Sequence, residues 1–400
     1  MRIVVVEPVG VGGMIHYAWQ LCTAMQRAGA DVTLITDTSY ELDRLPHVFD
    51  LDKRMRLWDA KRDDKKRSST MRRAGRAAAY YREWMRVVAH LRRAKPDVAQ
   101  FGDMRFATDL IPLRALRGRG IHLADVCHNV APFTTAGGTF SQSSLQKRAY
   151  SRIYRQFDSI FVHFAPNREA FEASFGLHDR LTTIFHGNEA IFESLRDAAV
   201  DAAQLRSRLS IPAHAKVVLL FGTLSPYKRV DVLIEAFARL RTTRPDAHLV
   251  LAGFPVGLNP ENLRIAATAA GIGDAFTLVP AYLESDAVAA WMELASVVVF
   301  PYDAVFQSGA VHVPLTFGRP VIATSVGAMP LVVEHEQTGL LVPPGDAAAL
   351  TAAMARILGD REFADRIGVA AAEEQRSRFS WDRIAMLMLD RYERASGGGQ

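Results

Sequence analysis

The chain is short of cysteine, of long apolar runs and of charge excess, and each shortage excludes something. Two cysteines in 400 residues, Cys22 and Cys127, cannot build a disulfide framework or a zinc finger, which favours a reducing compartment. No stretch reaches the roughly 20 apolar residues of a membrane-spanning helix, and the longest, 287–300, is interrupted by Glu293. The opening MRIVVVEP meets Glu7 and Pro8 after four apolar residues, too few for a signal-peptide core, so a cytoplasmic location is expected. With 49% hydrophobic and 23% charged residues the chain is neither disordered nor polytopic. Its length suggests two or three domains at about 150 residues each.

The net charge of +5 is concentrated. Between 52 and 95 there are 16 lysines and arginines against 5 acids, which leaves more acid than base in the rest of the chain. This stretch carries Lys65-Lys66-Arg67, Arg72-Arg73 and Arg92-Arg93, with Trp58, Met71, Tyr80, Tyr81, Trp84 and Met85 between them. From 71 to 91 it reads as a proline-free helix. A basic helix with interleaved aromatics fits an anionic membrane surface reached through 53–95. The plain alternative is a solvated helix face, and nucleic acid is disfavoured because no recognisable nucleic-acid module is present.

Strand and helix signals alternate. An apolar strand over 2–6 is followed by Gly10, Gly12 and Gly13, a helix to Arg27, and a strand over 31–36. Further strands are expected at 98–101, 122–127, 159–162 and 181–185. After a junction near 188–215 the pattern restarts, with strands at 217–221, 248–251, 276–279, 297–300, 321–323 and 339–342. Helices are expected at 230–241, 285–293 and 310–317. Two such halves predict an α/β fold of two doubly wound Rossmann-like domains with a ligand cleft between them, at the carboxyl ends of the strands.

Three glycine-bearing turns stand at strand ends. Gly10-x-Gly12-Gly13 does not complete the dinucleotide fingerprint, because the last glycine falls on Ile15, so a nicotinamide-dependent oxidoreductase is disfavoured. The run GTLSPYKR (222–229) places Lys228 and Arg229 at a helix start, where two cations beside backbone donors suit a diphosphate. Gln307-Ser308-Gly309-Ala310 opens a helix whose free N–H groups can meet a phosphate.

Taken together, GTLSPYKRVDVLIEAF, VVVFPY, QSGAVHVPLTFGRPVIATSVGAMP and HEQTGLLVPPGD resemble the donor half of a GT-B glycosyltransferase, most of all retaining family 4, the glycosyl transferases group 1. Gly12-Gly13, His128-Asn129, His186-Gly187 and the tail Phe379-Ser380-Trp381 agree with the same family. The resemblance implies an acceptor-binding domain over 1–190, a nucleotide-sugar domain over 191–375 and a terminal helix over 376–396 that crosses back to the first domain. It implies sugar transfer from a nucleotide-diphosphate sugar to a lipid-linked or glycan acceptor, with no metal and no cofactor beyond the donor. Lys228 matches the lysine that stabilises the leaving diphosphate. Ser308, Gly309 and Ala310 match the amides that reach the phosphate, His128 a histidine near the transferred sugar, and Gly12 and Gly13 the loop that closes on the donor. Gly253, Tyr282 and Leu283 fall in segments expected to line the donor site.

The chain departs from the family at several positions. The family's two glutamates, eight positions apart, are replaced by Val305 and Val313, as in a Gln-Ser-Gly branch that lacks them, and Gln307 can replace a sugar contact. Thr223 stands where an arginine is usual, leaving Arg229 as its substitute. Leu331 stands where an acid is common, and Glu334, three positions on, can serve the ribose. The missing acids motivate an alternative, a nucleotide-sugar-binding protein that has lost transfer activity. A metal-dependent GT-A enzyme would need Asp50-Leu51-Asp52 at the end of a core strand, and that pair lies instead beside the basic stretch.

Overall fold

The computed structural model describes residues 1–57, 70–102, 106–131, 133–134, 139–140 and 143–397. The chain divides into two compact units: Met1–Val130, Gln142–Phe185 and Trp381–Gln400 form the first, and Ala131–Ser141 with His186–Ser380 the second.

The first unit is built on a seven-stranded parallel sheet. Its strands are β1 (Arg2–Val6), β2 (Asp31–Asp37), β3 (Asp50–Met55), β4 (Val98–Gly102) and β5 (His122–Cys127), then, beyond a two-stranded antiparallel ribbon of β6 (Phe133–Thr134) and β7 (Thr139–Phe140), β8 (Ser159–His163) and β9 (Leu181–Ile184). The spatial order is β3-β2-β1-β4-β5-β8-β9. Central strands such as β8 are buried at every position, the continuous apolar reading that a sheet covered on both faces requires. The edge strand β3, DLDKRM, carries four charged residues in six and has no apolar periodicity. It therefore escapes a pattern reading, and its charges suit an edge. Asp50 and Asp52 thus lie on an edge strand, where the Asp52 carboxylate pairs with Arg54.

The basic segment continues into the helix Thr70–Ala94. Tyr80, Trp84, Val87, Val88 and Leu91 are buried in the core of the first unit, and the Tyr80 hydroxyl donates to Asp109 at 3.0 Å. Two of the aromatics read as a surface feature are therefore core residues, because the helix must bury one stripe against the sheet. Tyr81 is the exposed one. Glu83 is buried and paired with Arg82 and Arg86. Trp58, Lys65, Lys66 and Arg67, and the side chains of Met71, Arg72 and Arg73, lie outside the described residues. The C-terminal helix Trp381–Gly397 belongs to the first unit. Its Trp381 ring meets Tyr17 edge-on at 4.7 Å, and its Tyr392 hydroxyl donates to Gln100 at 2.7 Å.

The second unit holds a six-stranded parallel sheet of β10 (Lys216–Phe221), β11 (Ala247–Ala252), β12 (Phe276–Val279), β13 (Val297–Phe300), β14 (Val321–Thr324) and β15 (Leu340–Val342), in the order β12-β11-β10-β13-β14-β15. Its core packs Leu233, Phe237 and Leu240 of the helix Val230–Arg241 and Met354 of the helix Ala347–Gly359 against the strands. Each such side chain contributes about 1.5–3 kcal/mol through burial. In each sheet the strand order reverses once beside the first strand, between β1 and β4 and between β10 and β13. At such a switch point the loops diverge and leave a crevice at the carboxyl ends of the strands. Among the described residues, no helix is long and apolar enough to cross a membrane.

Candidate functional site

In the second unit, β10 ends at Phe221 and the chain turns through Gly222 to a short helical turn, Pro226–Lys228. A Cβ on Gly253, after β11, would overlap the Gly222 carbonyl oxygen, so this glycine serves a close backbone approach. Lys228 is 3% exposed, and its Nζ reaches the Phe221 carbonyl at 3.5 Å. Among the described residues no carboxylate lies within ion-pair distance of it, and burial pulls its ammonium down to about 7. Its Nζ also lies 5.1 Å from the centre of the Tyr302 ring, which follows β13 across the switch point. A buried, unneutralised lysine is costly unless an anion completes it. Tyr227 meets Tyr302 edge-on at 5.3 Å, and Thr324 donates to the Tyr302 carbonyl at 2.6 Å, which fixes this wall of the crevice.

The helix Gly309–Thr316 starts beyond Tyr302, with Ser308 as N-cap making no side-chain cap. A Cβ on Gly309 would stand 2.9 Å from His186 Nε2 and 3.8 Å from a Glu189 carboxylate oxygen. The segment 186–189 is therefore packed on this helix start. It is held there by Glu189 N–H donating to Thr316 Oγ1 at 3.1 Å, by Asn188 donating to the Gln375 carbonyl at 2.9 Å, and by the Asn188 amide donating to the Phe379 carbonyl at 2.9 Å. His186 stacks on His312 with ring centres 5.0 Å apart, and burial holds the two rings neutral, at about 4 and about 3. Val313 is buried and apolar, so the carboxylate brought to this helix start comes from Glu189, some 120 residues earlier in sequence. Gln307 Oε1 is buried and makes no hydrogen bond among the described residues.

The other expected donor-site residues differ in pairing and exposure. Arg229 adopts φ 47° and is engaged by Asp231 at 2.9 Å and by Asp303 at 3.4 Å, so its charge is already neutralised rather than offered to a diphosphate. Thr223 and Tyr282 are exposed, Leu283 is half-buried, and Ala310 follows Gly309 in the first helical turn. Glu334 has an exposed side chain, and its backbone N–H donates to Thr338 at 2.9 Å.

In the first unit, Gly12 caps the helix Gly13–Arg27 with φ 85° and ψ −170°, a region open to glycine. The turn is pinned from inside. Glu41 accepts from the Gly12 N–H at 2.6 Å, and the same oxygen lies 2.7 Å from His16 Nε2. A protein carboxylate thus occupies the helix start, the place an anionic ligand would otherwise take. Gly13 has open space around its Cβ position. At the switch point itself a narrow recess is lined by Val6, Glu7, Met14, Tyr17, Gly102 and His128. A Cβ on Gly102 would stand 3.7 Å from Glu7 Oε2 and 3.9 Å from His128 Nε2, so both groups reach the same floor. Behind His128 lies His163, fully buried at the end of β8, and the next residue, Phe164, has φ 62°. A phenylalanine in that region is strained, at a cost of order 1–3 kcal/mol. Glu7, Glu41, His163 and Glu189 were not singled out in the sequence; each is an isolated polar residue whose neighbours come from distant segments.

Two family models match the chain: a glycosyl transferase 4-like domain over residues 12–187 and glycosyl transferases group 1 over residues 215–360. A curated relative, D-inositol 3-phosphate glycosyltransferase of Corynebacterium efficiens, is 32% identical over 223 residues, 54% of this chain and 52% of that protein. Its namesake from Streptomyces scabiei is 36% identical over 207 residues, 48% of this chain and 44% of that protein. The chain thus spans about half the length of the curated relatives it matches. Among solved structures, sucrose-phosphate synthase from Thermosynechococcus elongatus superposes with a TM-score of 0.71 at 23% identity, covering 100% of both chains. HepE of Anabaena, solved with UDP and glucose, superposes with a TM-score of 0.73 at 18% identity, covering 98% of this chain and 99% of that one. Two parallel α/β sheets of this topology, with the two family matches lying one on each half, make the chain a GT-B protein of glycosyltransferase family 4.

Proposed function

We propose that the chain is a retaining glycosyltransferase that takes a sugar from a nucleotide-diphosphate donor bound by the second unit. The observation that carries this reading is Lys228, buried at the β10–β13 switch point and, among the described residues, without a carboxylate in ion-pair distance. A diphosphate leaving group gains negative charge as the glycosidic bond breaks, and a preorganised cation in a dry site stabilises that charge. With Lys228 in this role the reading needs no metal. The first N–H groups of the helix Gly309–Thr316 add donors beside it. Glu189 and Gln307 supply acceptors for sugar hydroxyls, the role that Val305 and Val313 cannot fill. Retention follows same-face attack, with the leaving phosphate oxygen taking the acceptor's proton, and requires no protein nucleophile. The first unit binds the acceptor, a lipid-linked or glycan hydroxyl compound. Arg92 and Arg93, exposed on the basic helix, support contact with an anionic membrane surface from the cytoplasmic side.

A thermal-shift screen against UDP-, GDP-, ADP- and TDP-sugars in EDTA tests the donor reading. A true donor at a hundredfold excess over its dissociation constant stabilises the fold by about 2.7 kcal/mol. Stabilisation by one donor without metal, followed by transfer with the anomeric configuration kept, supports the proposal; a donor that binds only when metal is restored overturns the metal-free reading. Buried, apolar Val313 favours a second reading, a protein that holds the donor but transfers nothing, and binding without turnover would select it.

A further inference from the structure

Arg229 stands where the local rules argue against it. It is the N-cap of the helix Val230–Arg241, with φ 47° and ψ 51° and no side-chain cap. That left-handed region disfavours long side chains and is visited readily only by glycine, asparagine and aspartate. A cation there also faces the positive end of the helix dipole. Two local penalties at one position call for a gain elsewhere.

The gain lies in what the guanidinium joins. Its Nε and Nη2 donate to Asp231, in the first turn of the same helix, at 3.0 and 2.9 Å. Its Nη1 donates to Asp303 Oδ1 at 3.4 Å. Asp303 lies in the loop after β13, on the other side of the strand reversal. The Asp303 N–H also donates to the Tyr227 carbonyl at 2.8 Å. One backbone bond and one ion pair thus tie the two loops together. Arg229 directly follows Lys228 and Asp303 directly follows Tyr302, whose ring centre is 5.1 Å from Lys228 Nζ. Lys228 and Tyr302 are 3% and 1% exposed, whereas the Arg229 and Asp303 side chains are 32% and 55% exposed. The ion pair is therefore on the solvent side of the buried pair.

We infer that Arg229 is a positioning residue: with Asp303 it forms an ionic clasp that holds the Tyr302 loop against the Lys228 turn and keeps the diphosphate site assembled. The guanidinium stays with its carboxylates and does not itself touch phosphate. The diphosphate rests on the glycosyltransferase reading; the clasp does not. Because an exposed ion pair contributes modestly, the clasp shifts the balance between closed and open crevice by about fivefold.

The test uses three variants of the full chain. Arg229→Asn removes the cation and puts a residue suited to the left-handed region in its place. Asp303→Asn removes the anion and keeps the backbone bond to Tyr227. The third variant combines the two. UDP, GDP, ADP and TDP are titrated calorimetrically in EDTA. The nucleotide that binds the native protein should bind each single variant about fivefold more weakly. The double variant should bind no more weakly than the weaker single, because the two residues act as one pair. Arg229→Asn should melt no lower than the native protein, since relief of strain opposes the loss of an exposed pair. Tighter binding by Asp303→Asn would mean that the released arginine contacts phosphate itself, and overturns the clasp. A melting temperature that falls together with affinity in Arg229→Asn marks a merely structural role and overturns it too.

A second readout needs no ligand. A short pulse of acetic anhydride, followed by mass spectrometry, reports access to the Lys228 amine, which burial holds at about 7. Its labelling should be about fivefold faster in all three variants, and unchanged labelling overturns the clasp. Faster labelling in the variants of a protein that binds none of the four nucleotides would refute the donor reading and leave the clasp standing.

Discussion

The two sheets reverse their strand order in the same way and put opposite chemistry at the reversal. At the β10–β13 switch point the buried group is a lysine, Lys228, with no carboxylate among the described residues to neutralise it. At the β1–β4 switch point the buried groups are a carboxylate, Glu7, and an imidazole, His128, and the adjoining helix start is already taken by Glu41. One crevice is thus unfinished until an anion arrives, and the other has its anion built in. The topology fixes where a ligand can sit, and a few buried polar side chains fix what kind it is.

Removing the cation should do the most to erase this contrast. Lys228→Ala should lower kcat by about 10²–10³-fold, or about 3 kcal/mol of transition-state stabilisation, in steady-state assays with the donor found by the binding screen. Turnover equal to that of the native enzyme would end the assignment. Next in size is Gly309→Ala, which pushes a methyl against the His186 ring at 2.9 Å. Chemical denaturation should show a loss of about 2 kcal/mol, the range typical of overpacking a tight site. Glu41→Gln weakens the internal hold on the Gly12 turn, and about 1.5 kcal/mol of stability should go with it. Calorimetry of that variant would sharpen the comparison if phosphate then bound to the first unit.

The pH response separates the crevices in another way. Lys228 is held at about 7, below the ordinary lysine value, so between those limits the unfolded chain binds more protons than the folded one. Its contribution therefore makes stability rise with pH across that window. Donor binding runs the other way, because the diphosphate favours the protonated form. Affinity should fall above pH 7, by at most tenfold or about 1.4 kcal/mol per unit, with proton uptake detected by titration in buffers of different ionisation enthalpy. Lys228→Met should flatten that dependence. The smallest effect is expected at Gly13→Ala, whose methyl meets nothing within 4 Å. Its melting temperature should stay within the shift of about 0.5 kcal/mol, so any change in KM would report ligand contact alone.

What the sequence revealed follows from how local the signal was. The buried strands β1, β10 and β13 carry apolar runs that stop at Glu7-Pro8, Gly222 and Pro301, and the turn bearing Lys228 lies within eight residues of one of them, so both could be read directly. Helices Ala347–Gly359 and Arg361–Ser377 carry N-caps at Asp346 and Asp360 but blur together in the sequence, because the first is rich in alanine and the second follows it after a single residue. The meeting of Glu189 with Gly309, and of His163 with His128, is created by tertiary packing alone. The neutralisation of Arg229 by Asp303 crosses 74 positions, which no window of local pattern could include.

The hydrogen bonds that seat Asn188 have an effect on connectivity as well as on the crevice. They fasten the start of the second unit's long segment, at His186, to its end, near Phe379. In topological terms the segment 186–380 is a loop of the chain, closed at its neck. Segments with tied ends are the ones that tolerate transplantation and circular permutation, because joining their termini closes a ring the fold has already closed. A fragment spanning 186–380 carries its own neck and its own sheet, and the natural cut for a stand-alone fragment runs through that pair of residues.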